Sequence, residues 1–115
     1  MWIMVAGPYT AGGADAGQRA QNLRTLNIAA VALFRAGHTP VIGVNMALPL
    51  IAAAGGNSAA HHEIMMPLSL ALAERCDACL RIGGPSKGAD DEAERFMAEG
   101  RPVYRSLSEV PGVAG

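Results

Sequence analysis

Short apolar segments alternate along this chain with longer segments of helical periodicity, and this alternation constrains the fold more than any other feature. The first apolar segment, residues 2–6, ends at Gly7-Pro8, and its length suits a buried strand better than a helix. A loop rich in glycine and other small residues follows over residues 7–17. Strands that alternate with helices predict a parallel sheet with helices on both faces.

A helix of about five turns is predicted after that loop, with Gly37 ending it at the C′ position. The residues expected on its buried face are spaced at helical intervals and are Leu23, Leu26, Ala30, Leu33 and Phe34. Residues 38–44 then predict a second strand, with Pro40 tolerated near its start. These segments complete one β-α-β unit.

The middle of the chain is harder to assign. Residues 45–57 are uncharged and interrupted by Pro49, which favours a loop with one helical turn. A helix is predicted over residues 58–75, and Pro67 is expected to kink or restart it. The side chains expected to face inward there are Ile64, Leu68, Leu72 and Met65.

The last part of the chain repeats the strand-helix-strand pattern. A third strand is predicted over residues 78–82, a helix over 86–99 ended by Gly100, and a short strand over 102–104. With 115 residues, the chain predicts a single domain over residues 1–115. The expected architecture is a three-layer α/β/α sandwich with a parallel sheet of four to five strands.

The composition argues against several classes of function. The net charge is −1, so no basic surface is expected to attract nucleic acid or a membrane. Residues 36–62 carry no formal charge, but glycines and prolines interrupt them, so a membrane span is not expected. Two cysteines are too few for a disulfide framework, which favours a cytoplasmic location. Many of the hydrophobic residues are alanine, so a partner subunit is expected to add stability.

In a parallel sheet of this kind, ligands bind at the carboxyl ends of the strands. Three segments are predicted to lie there, over residues 7–17, 43–46 and 83–92, and Asn45 is a candidate binding residue of the second. In the third segment Ser86 is the expected N-cap of a helix, whose free N–H groups suit a phosphate or a sugar hydroxyl. Glu92 lies about 9 Å farther along the helix axis at ~1.5 Å per residue, a separation on the scale of a sugar phosphate.

Helical geometry singles out Glu92 among three neighbouring acids. The buried face of this helix is predicted to be Ala89, Ala93, Phe96 and Met97, so Asp91 points away from it while Asp90 and Glu92 lie on its flanks. Gly88 precedes Glu92 by one turn and leaves space beside its carboxylate. Alternatively, the three acids only complement the positive end of the helix dipole.

Other candidate motifs favour structural roles. His61-His62-Glu63 has potential metal ligands, but adjacent histidines diverge by about 100° on a helix, so surface or interface positions are expected. Cys76 and Cys79 have the spacing of a redox pair, but they span a helix end and a strand, so buried thiols are expected. Three methionines suggest a pocket wall or a subunit contact: Met46, Met65 and Met66. No metal and no cofactor are expected.

Five segments together resemble the nucleoside 2-deoxyribosyltransferase-like superfamily, and most closely its short bacterial members. They are Ile3-Met4-Val5-Ala6-Gly7-Pro8-Tyr9-Thr10, Ala36-Gly37-His38-Thr39-Pro40, Cys76-Asp77, Ser86-x-Gly88-x-x-x-Glu92 and Gly100-Arg101-Pro102-Val103-Tyr104. The resemblance covers nearly the whole chain in order. It implies a flavodoxin-like or Rossmann-like fold and cleavage or transfer of the N-glycosidic bond of nucleosides or nucleoside 5′-monophosphates, in a homodimer or larger assembly.

Carried onto this chain, the resemblance implies that Glu92 is the nucleophile that attacks the anomeric carbon. Ser86 matches the position that holds the 5′ end of the sugar, and a serine there implies a phosphate. The loop that lines the base and sugar pocket is matched by Gly7, Pro8 and Tyr9. Arg19, at the start of the first helix, is a candidate for binding phosphate or base, or else an ordinary solvated arginine.

The chain departs from the superfamily at one position. Active members often carry an acid eight residues before the strand-initial aspartate, to assist protonation of the leaving base, and here that position is Ser69. Glu63 and Glu74 are candidate substitutes. Two alternatives to the glycosidase therefore stay open: a nucleotide-binding or sensor domain without catalysis, and a phosphoribohydrolase, whose glycine-rich loop fits this spacing poorly.

Overall fold

A computed structural model describes residues 1–113, and the strands among them form one parallel sheet. The strands are β1 (Trp2–Ala6), β2 (Thr39–Val41), β3 (Ala78–Arg81) and β4 (Val103–Tyr104). Their order across the sheet is β2-β1-β3-β4. The central pair aligns Met4 with Cys79, and all four residues of β3 are buried.

Helices cover both faces of this sheet. They are α1 (Ala16–Arg35), α2 (Gly43–Ala53), α3 (Ser58–Ala73) and α4 (Lys87–Ala98), followed by a 3₁₀ turn over Leu107–Glu109. Because side chains alternate along a strand, Ile3 and Val5 pack with α1 on one face while Met4 packs with α3 and α4 on the other. This arrangement confirms the predicted three-layer α/β/α sandwich.

The predicted C-terminal end of α1 is accurate, but the helix begins at Ala16, inside the predicted loop, and one residue of its predicted buried face is wrong. Gly37 follows the helix with a φ of 93°, as a C′ glycine does. The buried residues are Leu26, Ala29 and Leu33. Phe34 was expected among them but is 70% exposed, because it lies about 100° around the helix from Leu33. For the same reason Met97 on α4 is exposed, whereas its neighbour Phe96 is fully buried.

The predicted second strand is present but shorter than expected, and the prediction of a loop after it is wrong. β2 ends at Val41, and α2 occupies the stretch from Gly43 to Ala53 where a loop with one helical turn was expected. Pro49 lies inside this helix on its exposed side. α2 is stable because its apolar side chains pack on α3. The two helices together contribute a small cluster of buried residues: Ala47 and Ile51 from α2, and Ala60 and Met65 from α3.

α3 also contains a proline and stays helical. It runs from Ser58 to Ala73 without interruption, so Pro67, which is exposed, does not restart the helix. Met65 is buried as expected, and Ile64 is half-buried against α2. None of the helices in residues 1–113 is both long enough and apolar enough to cross a bilayer.

The loops that follow β1 and β3 touch each other at the carboxyl edge of the sheet. A Cβ added to Gly7 would lie 2.6 Å from Leu26 Cδ2 and 2.8 Å from the carbonyl oxygen of Ile82. Gly83 has a φ of 82°, and a Cβ there would lie 2.7 Å from Pro8 Cδ. Glycine is therefore required at both positions for the two loops to meet.

We expect Gly7→Ala to destabilise the protein by about 1–3 kcal/mol, because the new methyl group overlaps both α1 and the end of β3. Gly17→Ala is the matched control, since its Cβ would meet only Asp15 Oδ1, at 3.5 Å. Urea unfolding of both variants measures the difference. Equal unfolding midpoints for the two variants would contradict the close packing at Gly7.

Candidate functional site

A cleft opens where the connections of the two central strands leave the sheet in opposite directions. β1 leads to α1 on one face, and β3 leads to α4 on the other. In open α/β sheets this switch point is the usual position of a ligand site. The cleft therefore lies where the strand pattern predicts a ligand site.

The cleft has a volume of about 250 Å³ and is bounded by α3, α4 and the loop after β1. Its lining residues come from these elements and from the start of α2, and they are Gly7, Tyr9, Thr10, Ala11, Val44, Met65, Met66, Ser69, Ser86, Lys87, Gly88, Ala89 and Glu92. Among the lining residues, Glu92 carries the one carboxyl group and Lys87 the one ammonium group. Met65 and Met66 form an apolar wall, one of the two roles expected for them.

Ser86 begins α4 at the mouth of this cleft. Its hydroxyl oxygen accepts a hydrogen bond from the backbone N–H of Ala89 at 3.2 Å, so it is the N-cap that the sequence predicts. The N–H groups of Lys87 and Gly88 have no carbonyl partner one turn earlier within the helix. They point, with the positive end of the helix dipole, toward the space in front of the helix.

Gly88 keeps the cleft open between α4 and α3. A Cβ added at Gly88 would lie 3.4 Å from Met66 Sδ, at van der Waals contact. A larger side chain would therefore fill the gap that separates the start of α4 from the opposite wall. Glu92 follows Gly88 by one helical turn and lines the same space.

The carboxyl group of Glu92 is held in an environment that disfavours its charge. Burial raises the pKa of Glu92 from its ordinary 4.5 to about 7, while the Arg81 guanidinium lowers this pKa and the Asp91 carboxylate raises it. Near neutral pH the group therefore exists in both protonation states. A carboxyl group with such a pKa in a cleft is typical of a catalytic acid, base or nucleophile.

The two other acids at the start of α4 make ion pairs. Asp90 Oδ1 lies 2.9 Å from Arg81 Nε, and Asp91 Oδ2 lies 2.9 Å from Lys87 Nζ. Both carboxylates are thus partnered outside the lining of the cleft, although they also lie near the positive end of the helix dipole. Burial in the cleft distinguishes Glu92 from these neighbours.

Ser69, at the position where the superfamily often has an acid, lines the same cleft as Glu92 and is 2% exposed. The start of α2 packs directly against it, since a Cβ added to Gly43 would overlap the Ser69 hydroxyl. Neither acid considered as a substitute is present in this lining. Glu74 is paired with Arg95 at 2.8 Å, and Glu63 is exposed on α3.

The other predicted binding residues do not all line the cleft. Gly7 and Tyr9 line the cleft, whereas Pro8 packs on the Gly83 turn. Arg19 lines an adjoining cavity that shares Tyr9 with the cleft, and its Nη1 donates to the carbonyl of Ala14 at 2.8 Å. Asn45 lies in a different groove and donates to Asn27 Oδ1 at 2.7 Å, so its binding role stays a prediction outside this cleft.

The histidine and cysteine motifs lie outside the cleft lining. His61 and His62 belong to α3, and within residues 1–113 no three potential ligands of the types His, Cys, Asp and Glu gather where they could hold a metal ion. Cys76 and Cys79 are buried free thiols, as expected. Burial raises the pKa of Cys79 to about 12, so this thiol is protonated and unreactive.

Sequence reasoning missed Arg81, the last residue of β3. It is 8% exposed, and its three guanidinium nitrogens donate to Asp90 and to the carbonyls of Ile82 and Gly84. A signal was available in the sequence, because Arg81 is the one charged residue in an apolar segment that ends at two glycines. A charge at that position needs partners near the end of the strand.

Comparison with known proteins gives one match over most of the chain. A family model described as "Domain of unknown function (DUF1937)" matches residues 1–107. These residues include every strand and helix described above and the whole lining of the cleft. No curated protein matches the chain.

Burial of Glu92 predicts a characteristic dependence of stability on pH. Folding raises the pKa of Glu92 from 4.5 to about 7. The free energy of unfolding therefore falls as the pH rises between these two values, and the loss is complete above pH 7. We expect Glu92→Gln to increase the free energy of unfolding at pH 8 by roughly 1–2 kcal/mol, since the side chain is only partly buried. The gain should shrink toward zero at pH 4.5.

Urea unfolding at pH 4.5, 6, 7 and 8 measures this difference. Glu94→Gln is the matched control, because Glu94 lies on the same helix and is exposed. A gain for Glu92→Gln that is constant with pH, or that is equal in the control, would contradict the buried, proton-binding carboxyl.

Proposed function

The chain belongs to the family of the domain of unknown function DUF1937, and from its cleft we propose that it is an N-glycosidase or 2-deoxyribosyltransferase that acts on a nucleoside or, by preference, a nucleoside 5′-monophosphate. Glu92 is the nucleophile of this proposal. The arrangement that carries it is a partly buried carboxyl group and a helix N-terminus that line one cleft. The resemblance of the five sequence segments to the nucleoside 2-deoxyribosyltransferase-like superfamily supports the same activity.

The dimensions of the cleft suit a sugar phosphate. Ser86 and Glu92 are six residues apart on one helix, which corresponds to about 9 Å along its axis. Gly88 lies between them and leaves the intervening space free. A ribose or deoxyribose ring with its 5′ phosphate at Ser86 would then have its anomeric carbon near the Glu92 carboxylate.

The proposed reaction proceeds in two displacements at the anomeric carbon. A carboxylate oxygen of Glu92 attacks C1′ as the C1′–N bond breaks, and the electron pair of that bond leaves with the base, which takes up a proton. Water or a second base then attacks C1′ and loses a proton, the C1′–O bond to Glu92 breaks, and its electron pair returns to the carboxylate. The negative charge of Glu92 also stabilises the positive charge that develops on the sugar in the transition state.

A phosphate at Ser86 would be bound without a dedicated arginine. The N–H groups of the first turn of α4 and the helix dipole provide the attraction, and the Ser86 hydroxyl adds a hydrogen bond. Lys87, whose side chain is 90% exposed and pairs with Asp91 at 2.9 Å, also lines the cleft. These features favour a monophosphate over a free nucleoside.

The hydroxyl of Ser69 replaces an acid that would protonate the leaving base. Because the lining offers hydroxyl groups from Tyr9, Thr10 and Ser69 but no second carboxyl, the proton for the base comes from water or from a hydroxyl. This favours bases that leave easily. It is also the observation that favours the second candidate, a nucleotide-binding or sensor domain in which the cleft binds its ligand without cleaving it.

Self-association is part of the proposal. Large hydrophobic side chains are exposed on the outer surfaces of α1 and α2 and at the start of β1, namely Trp2, Ile28, Val31, Phe34, Met46 and Leu50. Such a surface is typical of a subunit contact. We therefore expect a homodimer or a larger assembly.

Replacement of Glu92 tests the catalytic proposal. We expect wild-type protein to release free base from deoxynucleoside 5′-monophosphates, and Glu92→Gln to lower kcat by on the order of 10³-fold or more because the nucleophile is lost. In the wild type, kcat/KM should rise with pH through about 7 and level off above it, since burial raises the pKa of Glu92 to that value and only the carboxylate attacks. Chromatography of the reaction mixtures measures both.

Glu94→Gln again serves as the control and should keep wild-type activity. Binding of a monophosphate without release of base would favour the sensor domain. Preference for ribonucleotides over deoxyribonucleotides would favour the phosphoribohydrolase. Equal activity of wild type and Glu92→Gln would exclude Glu92 as the nucleophile.

Replacement of Ser86 tests the phosphate end of the cleft. Ser86→Asp retains a good N-cap, so stability should change little, but it places a carboxylate where the phosphate would bind. We expect KM for a nucleoside 5′-monophosphate to increase about tenfold or more, with a much smaller change for the free nucleoside. Equal changes for the two substrates would contradict phosphate binding at Ser86.

A further inference from the structure

A second cavity adjoins the cleft and shares two lining residues with it, Tyr9 and Thr10. Its volume is about 370 Å³, compared with about 250 Å³ for the cleft. Sites that enclose a whole small molecule usually measure about 300–1,000 Å³, so the cleft by itself is small for a nucleotide. A ligand that extends from the cleft past Tyr9 and Thr10 enters this adjoining cavity.

Polar side chains from two helices meet in the adjoining cavity. Arg19 belongs to the first turn of α1. Asn57 and His61 lie at the start of α3, one helical turn apart and therefore on the same face. Leu48 and Ile51 of α2 add an apolar wall. Such a combination of an apolar wall and a few polar groups suits a flat ring with polar substituents.

These polar side chains mainly offer hydrogen-bond donors. Arg19 Nη1 donates to the carbonyl of Ala14 at 2.8 Å, which holds the guanidinium in place while its other nitrogens retain N–H groups for a ligand. Asn57 Oδ1 accepts from the backbone N–H of Ala60 at 2.8 Å, so the Asn57 amide presents its NH₂ group. The cavity therefore favours a ligand with acceptor atoms.

The positive charge of Arg19 points to the same kind of ligand. Three other arginines are paired with carboxylates at 2.8 or 2.9 Å: Arg81, Arg95 and Arg101. Arg19 is half-buried and bonds to a backbone carbonyl, and the lining of its cavity includes neither Asp nor Glu. A guanidinium in this setting gains from acceptor atoms that a ligand brings.

We propose that the adjoining cavity binds the base of the nucleotide and selects a 6-oxopurine, with Arg19, Asn57 and His61 as the residues that determine this specificity. The inference rests on the proposed function for the position of the sugar phosphate in the cleft. A 6-oxopurine presents two acceptors on one edge, O6 and N7, and an arginine matches this pair with two N–H donors. A 6-aminopurine presents a donor in place of O6, so donors would face each other and a hydrogen bond would be lost.

The test compares two nucleotides that share the sugar and the phosphate, deoxyinosine and deoxyadenosine 5′-monophosphate. Calorimetric titration of Glu92→Gln measures their binding without turnover, and 2-deoxyribose 5-phosphate measures binding to the cleft alone. We expect the inosine nucleotide to bind about tenfold or more tightly than the adenosine nucleotide. Arg19→Met in the same background should remove most of this preference and leave binding of 2-deoxyribose 5-phosphate unchanged.

The chain offers a matched control for each variant. Arg24→Met should keep the preference, because Arg24 is exposed on α1 outside the lining. His61→Leu should reduce the preference, whereas His62→Leu should not, because His62 is exposed and also lies outside the lining. If Arg19→Met does not fold, the pair of histidine variants decides.

Two results would overturn the inference. One is equal affinity for the two nucleotides, or a preference that persists in folded Arg19→Met and in His61→Leu. The other is an equal loss of affinity for 2-deoxyribose 5-phosphate and for the inosine nucleotide in Arg19→Met, since Arg19 would then bind the phosphate.

Activity separates this inference from the proposed function. If the preference depends on Arg19 and His61 as expected but wild-type protein releases no base, the assignment of the cavity stands and the glycosidase proposal fails. If wild-type protein releases base from both nucleotides at equal kcat/KM and Arg19→Met changes neither value, the glycosidase stands and the inference fails. Absence of binding for all three ligands would overturn both.

Discussion

The contact between the loops after β1 and β3 is the constraint on which the rest of the site depends. Gly7 allows the first loop to approach the carbonyl of Ile82, and Gly83 allows the second loop to approach Pro8. This contact fixes the distance between the loop bearing Tyr9 and the helix bearing Glu92. The cleft is thus an opening left beside a close backbone contact.

Ionisation of Glu92 in this cleft lowers the stability of the folded protein. Burial raises the pKa of Glu92 to about 7, so ionisation of this carboxyl at higher pH weakens the folded state. Arg81 offsets part of this cost without entering the cleft, because its guanidinium is held by the turn and by Asp90.

Most of the fold was predictable, because the helical and strand periods are strong in this chain. The bounds of β1 were predicted correctly, and those of β3, α3 and α4 nearly so, since glycines and N-caps mark their ends. α2 was not predictable, because Pro49 and the absence of charge favour a loop until the packing on α3 is known. The exposure of Phe34 was missed for a related reason: hydrophobicity alone does not show how wide the buried stripe of a helix is.

The sequence by itself determined the alternation of strands and helices, the cap at Ser86 and the spacing from Ser86 through Gly88 to Glu92, because these depend on residues close together along the chain. Only the tertiary structure decided that Ser69 and Met66 line the same cleft as Glu92, that Asn45 belongs to another groove and that Arg81 binds the turn after β3. Such relations join residues that are distant in sequence. They depend on how the helices pack on the sheet, and local propensity carries no information about that packing.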